Sequence, residues 1–169
     1  MASHSSSNAT HPEPPKRRLL VVAGLIWLDA ERLIVQRRAH DAQHGAGHLE
    51  LPGGKIELGE APASALAREL NEEWGPGACA IAIGSIAEVL HHVYPAPGAE
   101  VVLLVYHCDA RALLGTSDQR AAHACSRLHP EQGASVHVFA RGRVPVHEFL
   151  AADRPCVEAV RRGALTAPW

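Results

Sequence analysis

Three glutamates, Glu69, Glu72 and Glu73, stand close together in Pro62 to Trp74, a stretch whose apolar spacing predicts a helix. At about 100° per residue, with Glu69 at zero, Glu73 lies at about +40° and Glu72 at about −60°. Three carboxylates therefore share an arc of about 100°, each within a turn of another. Ala63, Leu66, Leu70 and Trp74 fall on the adjoining arc, so one side of the helix is expected to pack while its neighbour presents negative charge. Like charges at this spacing repel by tenths of a kcal/mol per pair on a solvated helix, and Arg68 offsets part of that through its i+4 partner Glu72. Taken alone, the glutamates describe an ordinary solvated face. The flanking residues add chemistry. Gly53-Gly54 lets backbone approach closely, Lys55 adds a cation, and Glu57 and Glu60 add further acid. Carboxylates, a glycine turn and a lysine together suit a site where a hard divalent cation meets phosphate.

These groups need a scaffold, and the rest of the chain has the pattern of one. Leu19 to Leu28 is a continuous apolar run rich in β-branched residues, read as a buried strand. Leu33 to Gln36 follows at hairpin distance. Residues 39–48 read as loop, and Leu51-Pro52-Gly53-Gly54 as chain-breaking punctuation. The helix starts at Pro62 after a poor cap, Ala61, and ends at Gly75-Pro76-Gly77. Ala80 to Val93 and Val101 to His107 read as strands, 111–134 as a long loop with room for a short helix, Val136 to Phe139 as a short strand, and Val157 to Leu165 as a final helix. With strands outnumbering helices, the class is α+β or a layered α/β/α sandwich.

The chain has 169 residues, enough for one domain. Sixteen Lys and Arg against eighteen Asp and Glu give a net charge of −2, which argues against a dedicated binder of nucleic-acid polymers. No apolar run is long enough for a membrane-spanning helix. Four cysteines at irregular spacing match neither a zinc site nor a disulfide framework, and point to reduced thiols in a cytoplasmic setting. Residues 1–17, rich in Ser, His and Pro and without an apolar segment, are expected to form a disordered tail before a single domain at 18–169.

Gly54, five residues, Glu60, seven residues, then Arg68-Glu69-Leu70-Asn71-Glu72-Glu73-Trp74-Gly75 resembles the Nudix box, G-x5-E-x7-R-E-U-x-E-E-x-G-U, with U a bulky aliphatic. Pro76 departs from the last U but removes no ligand. At roughly 6% per specified residue, chance accounts for about 10⁻⁹ such matches per start point, so the pattern is specific. The flanks Arg37-Arg38-Ala39, Leu49 to Glu57 and Ala151 to Pro155 are similar to the MutT-like branch of that family.

The resemblance implies a Nudix-type α/β/α sandwich with a mixed central sheet, the box forming loop, helix and loop. It implies a Mg²⁺-dependent hydrolase, with Mn²⁺ as substitute, that cleaves a nucleoside triphosphate such as 8-oxo-dGTP to monophosphate and pyrophosphate. A CTP-type pyrophosphohydrolase, an ADP-ribose or dinucleotide diphosphatase, and a catalytically silent ligand sensor stand as alternatives. Carried over residue by residue, Glu69 is the base, Glu72 the principal metal ligand, and Arg68 the orienter of the glutamates. The Gly53 carbonyl, Glu69, Glu72, Glu73 and, from a later loop, Glu131 form the metal set. Arg37, Arg38, Glu50, Gly54 and Lys55 face substrate, and Asp153 reads the base edge, its alternative role being a helix cap. Gly54, Glu60 and Gly75 also shape the box. His91, His92 and Tyr94 are candidates for the base pocket. The expected partner is the nucleotide itself, and the protein is expected to be a monomer or homodimer.

Overall fold

The computed structural model describes residues 17–95, 98–114 and 124–169. Seven strands are β1 (Arg18–Trp27), β2 (Arg32–Arg37), β3 (Leu49–Glu50), β4 (Gly53–Lys55), β5 (Ala82–Val93), β6 (Glu100–Asp109) and β7 (Ser135–Ala140). Among the described residues, the complete α-helices are α1 (Pro62–Trp74) and α2 (Arg154–Arg161). The strands form one mixed sheet in the order β3-β2-β1-β6-β5, with β4 added to β1 and β7 to β2. β1 is its centre. It runs parallel to β6 over all ten residues and antiparallel to β2 and β4 along its other edge.

Strand alternation sends successive side chains to opposite faces. Val22 and Ile26 of β1, Ile34 of β2 and Tyr106 and Cys108 of β6 pack with Ala65, Leu66, Leu70 and Trp74 of α1. Ala23, Leu25, Trp27, Leu33, Val35 and Val105 pack on the other face with Cys156, Val157 and Val160 of α2. These two cores, each capped by a helix, make the expected α/β/α sandwich. Every one of these helix residues is at most 2% exposed, which at about 1.5–3 kcal/mol per large aliphatic side chain anchors both helices firmly.

α1 has the predicted bounds, with no side-chain cap at Ala61. Gly75 ends it with φ +72°, and Pro76–Ala80 turn on as a 3₁₀ helix before β5. One helix-face expectation fails. Ala63 is exposed and Ala65 is buried in its place. The last helix begins three residues earlier than its apolar run, because Pro155 occupies the first turn, and it stops at Arg161 ahead of Gly163, at φ +75°. The punctuation around Pro52 contains two short strands. β3 pairs with the end of β2, and β4 pairs with Val21–Ala23. Within the segment read as a loop, Arg111–Leu113 form a 3₁₀ turn, and residues 115–123 lie outside the described residues. Of the expected tail, residues 1–16 also lie outside them. Arg17 belongs to the sheet margin, where its carbonyl accepts the Glu100 N–H at 3.0 Å. Among the described residues no helix is long and apolar enough to cross a membrane, and the four cysteines are free thiols.

Candidate active site

β4 holds the glycine turn against both the sheet and the acidic face of α1. Gly53 has φ +147°, and a Cβ there would strike the Val22 carbonyl. A Cβ on Gly54 would strike the Glu69 carboxylate. Only glycine lets the carboxylates of two successive helical turns close onto this strand. One turn beyond Glu69, the Glu73 carboxylate accepts the Gly53 N–H at 3.1 Å.

Arg68 organises the acids. Its Nε and Nη2 donate to the two Glu60 oxygens, both at 3.0 Å. Its Nη1 donates to Glu69 at 2.9 Å and Glu72 at 3.2 Å, and Nη2 also reaches the Lys55 carbonyl at 3.0 Å. Glu60 thus acts on Arg68 and on the Glu57 N–H, which it accepts at 3.1 Å. Its carboxyl is held below the usual range chiefly by Arg68, whose guanidinium is held more firmly protonated, first by Glu60 and then by Glu69.

Glu73 is the electrostatic centre. Burial first, then repulsion from Glu50, Glu69 and Glu131, raise its carboxyl to about 8, against the stabilising Gly53 N–H. Glu131 arrives through backbone. Its N–H donates to the Glu73 carbonyl at 3.1 Å, and the His129 N–H donates to the Trp74 carbonyl at 2.8 Å, so the segment after 128 closes the end of α1. Among the described residues no three acidic, His or Cys side chains are already grouped as a metal cage. One oxygen each of Glu69 and Glu72 is turned to Arg68, and one oxygen of Glu73 to Gly53. The donor set nevertheless fits a hard divalent cation. It is all oxygen, and it concentrates negative charge around the partly buried Glu73 carboxyl, whose proton is held first by burial and then by its acidic neighbours.

Beside the acids lies a cleft of about 210 Å³ whose lining includes Arg38, Glu50, Gly54, Lys55, Tyr94 and Asp153. It adjoins a larger hollow of about 600 Å³ that shares Arg38 and Tyr94 and adds Arg17, His44, His48 and Arg154. The structure therefore gathers most of the sequence candidates for substrate contact in one place. Arg37 stands apart. It donates to the Gly47 carbonyl at 2.7 Å and to Glu148 at 2.6 Å, and borders a separate hollow with His40 and Glu148. Gly75 ends α1 and opens the 3₁₀ turn that follows. His91 is engaged by Glu100 at 2.9 Å, while His92 packs edge-on against Tyr94 at 4.4 Å.

Asp153 precedes α2 but makes no side-chain cap. Its carboxylate instead accepts the Leu51 N–H at 3.1 Å, tying the start of α2 to the strand segment before Gly53. Burial raises its carboxyl to about 7; Glu50 adds to the rise, and Leu51 and Arg38 oppose it. Gln36, which no motif singled out, is buried between Trp74 and Glu50 and bonded to both.

Known proteins carry the same plan. The profile of the NUDIX domain family matches residues 17–155. An 8-oxo-dGTP diphosphatase of Escherichia coli is 48% identical over 59 residues, 35% of this chain and 45% of that protein. The chain thus spans under half the length of the first curated relatives it matches. A CTP pyrophosphohydrolase of Escherichia coli is 34% identical over 135 residues, 79% of this chain and 92% of that one. An RNA pyrophosphohydrolase of Acidiphilium cryptum is 36% identical over 148 residues, 78% and 87% of the two chains. The MutT NUDIX hydrolase structure from Burkholderia pseudomallei shares the fold, with TM-score 0.60 and 24% identity over 85% of this chain and 98% of that one. The family match covers most of the chain, and a relative 34% identical is covered over 92% of its length: the chain belongs to the NUDIX domain family.

Proposed function

We propose that the protein is a hydrolase that cleaves a nucleoside triphosphate between its α and β phosphates, releasing a nucleoside monophosphate and pyrophosphate. The observation that carries this reading is the partly buried Glu73 carboxyl of α1, crowded by Glu50, Glu69 and Glu131 and bonded to a glycine strand that also carries Lys55. Bound Mg²⁺ or Mn²⁺ would lower the pKa of an attacking water and neutralise the bridging phosphates. Glu69, Glu72, Glu73, Glu131 and the Gly53 carbonyl are the groups that would hold it. Glu69 accepts the water proton as the new P–O bond forms, and the pyrophosphate leaves with the electrons of the broken one. Arg68 keeps Glu69 and Glu72 aimed, and Glu60 keeps Arg68 in place. Lys55 and Arg38 neutralise phosphate oxygens by charged hydrogen bonds, while Gly54 gives them room.

Asp153 and Tyr94 border the space for the base. Protonated, Asp153 donates to a ring acceptor; ionised, it accepts from an exocyclic amino group. An 8-oxo-purine nucleotide is the first substrate class to test, on the relatives' printed names. A cytosine nucleotide is the second, because the relative named for CTP aligns over 92% of its length. The experiment is product analysis with Mg²⁺ on 8-oxo-dGTP, dCTP, CTP and ADP-ribose. Monophosphate and pyrophosphate from a triphosphate are expected. Tight binding without any product would replace the hydrolase by a ligand sensor.

A further inference from the structure

Four side chains from α1, β2, β3 and the loop after β2 form a chain of hydrogen bonds with only one possible direction. The Trp74 indole Nε1 donates to the Gln36 Oε1 at 2.6 Å. The Gln36 Nε2 donates to the Glu50 Oε1 at 3.2 Å, and the Arg38 Nη1 donates to the Glu50 Oε2 at 2.6 Å. Arg38 is held at its other edge by the His44 carbonyl, 2.9 Å from Nε. Trp74 is fully buried, and Gln36 and Glu50 are each 5% exposed, so water does not substitute for these partners. An indole can only donate. That requirement turns the Gln36 oxygen toward Trp74 and leaves its amide N–H for Glu50, which must then present an acceptor. Arg38, at the far end, lines both the cleft and the larger hollow.

We propose that Gln36 is a positioning residue of the nucleotide site: anchored on Trp74, it orients Glu50 and through it places the Arg38 guanidinium at the cleft wall. The inference rests on the nucleotide-hydrolase reading above. It adds that the last residue of the carboxylate helix is linked to the substrate wall by a polar thread through the core.

The test compares wild type, Gln36→Met and Gln36→Glu with dGTP and CTP under saturating Mg²⁺. Gln36→Met keeps the volume and removes both hydrogen bonds. Its KM should rise about tenfold, as for loss of one hydrogen bond to a charged group, with kcat within about twofold. Gln36→Glu still accepts from Trp74 but can donate to Glu50 only while it holds a proton. Its KM relative to wild type should be near unity at pH 6 and climb by pH 8.5, a dependence that a purely structural role does not produce. Unchanged KM in both variants with a lowered Tm, or a fall in kcat at constant KM, overturns the proposal. If Gln36→Met does not fold, the pH series on Gln36→Glu decides alone. If wild type hydrolyses neither of these nucleotides nor 8-oxo-dGTP, dCTP or ADP-ribose, the hydrolase reading has failed. Calorimetry with dGMP and CMP then decides: about tenfold weaker binding to Gln36→Met supports the thread, and equal affinity, or no binding to wild type, overturns it.

Discussion

Replacing Asp153 by asparagine should stabilise the protein, increasingly so as pH rises. The carboxyl is 5% exposed and makes one hydrogen bond, from the Leu51 N–H, which an asparagine oxygen can also accept. Glu50 stands near enough to repel its charge, Arg38 offsets this only in part, and the Tyr94 ring and the Cys156 thiol offer no positive charge. In the unfolded chain the group ionises near 3.8; in the fold it keeps its proton to about 7. The folded state therefore gains nothing from this carboxyl below its unfolded pKa and loses stability as pH climbs from about 4 to 7. The gap of roughly three pH units corresponds to about 4 kcal/mol at about 1.4 kcal/mol per unit. A carboxamide does not ionise in this range, so Asp153→Asn escapes the loss. Urea unfolding of both proteins without metal, at pH 4, 5.5, 7 and 8, measures it. The stability difference should be small at pH 4, grow through the window in favour of the variant, and level off above pH 7. A difference that is constant with pH, or that shifts toward wild type as pH rises, would refute the burial argument.

Gly54→Ala should fold but lose at least about a hundredfold in kcat, the scale of a misplaced catalytic group, because the added methyl occupies the seat of the Glu69 carboxylate; full activity would show that Glu69 is not the working base. Glu72→Gln should abolish turnover with an unchanged circular dichroism spectrum, since this partly exposed carboxylate does no packing; persistent turnover would remove it from the metal set. Mg²⁺ should raise Tm, and more so at pH 9 than at pH 6, as Glu73, whose carboxyl titrates near 8, gives up the proton that competes with the cation. A Tm insensitive to Mg²⁺ at both pH values would place the cation elsewhere.

Much of the chemistry was visible along the chain because it is local. The span of α1, its three glutamates and the i+4 contact of Arg68 with Glu72 follow from helical periodicity, and Gly53-Gly54 announces a close approach by lacking Cβ atoms. The strands β1, β2, β6 and β7 are apolar runs that a buried sheet requires. What spacing could not decide was which distant segments share a wall. Ala63 and Ala65 both suit a helix interior, and only the lie of α1 across the sheet selects Ala65. Arg37 and Arg38 are neighbours of one residue type, yet Glu148, 111 positions along the chain, draws the first away while Glu50 holds the second in the cleft. Asp153 was legible as a helix cap or a base reader; in the fold its carboxylate bonds Leu51, 102 residues earlier, and makes no capping bond. Gln36 carried no signal, because an amide at the end of an apolar strand run becomes informative only when Trp74 and Glu50 meet it in the core. Local sequence determines which groups a helix or turn can offer. Burial and charge, which depend on what folds against them, decide how those groups are oriented and which protons they keep.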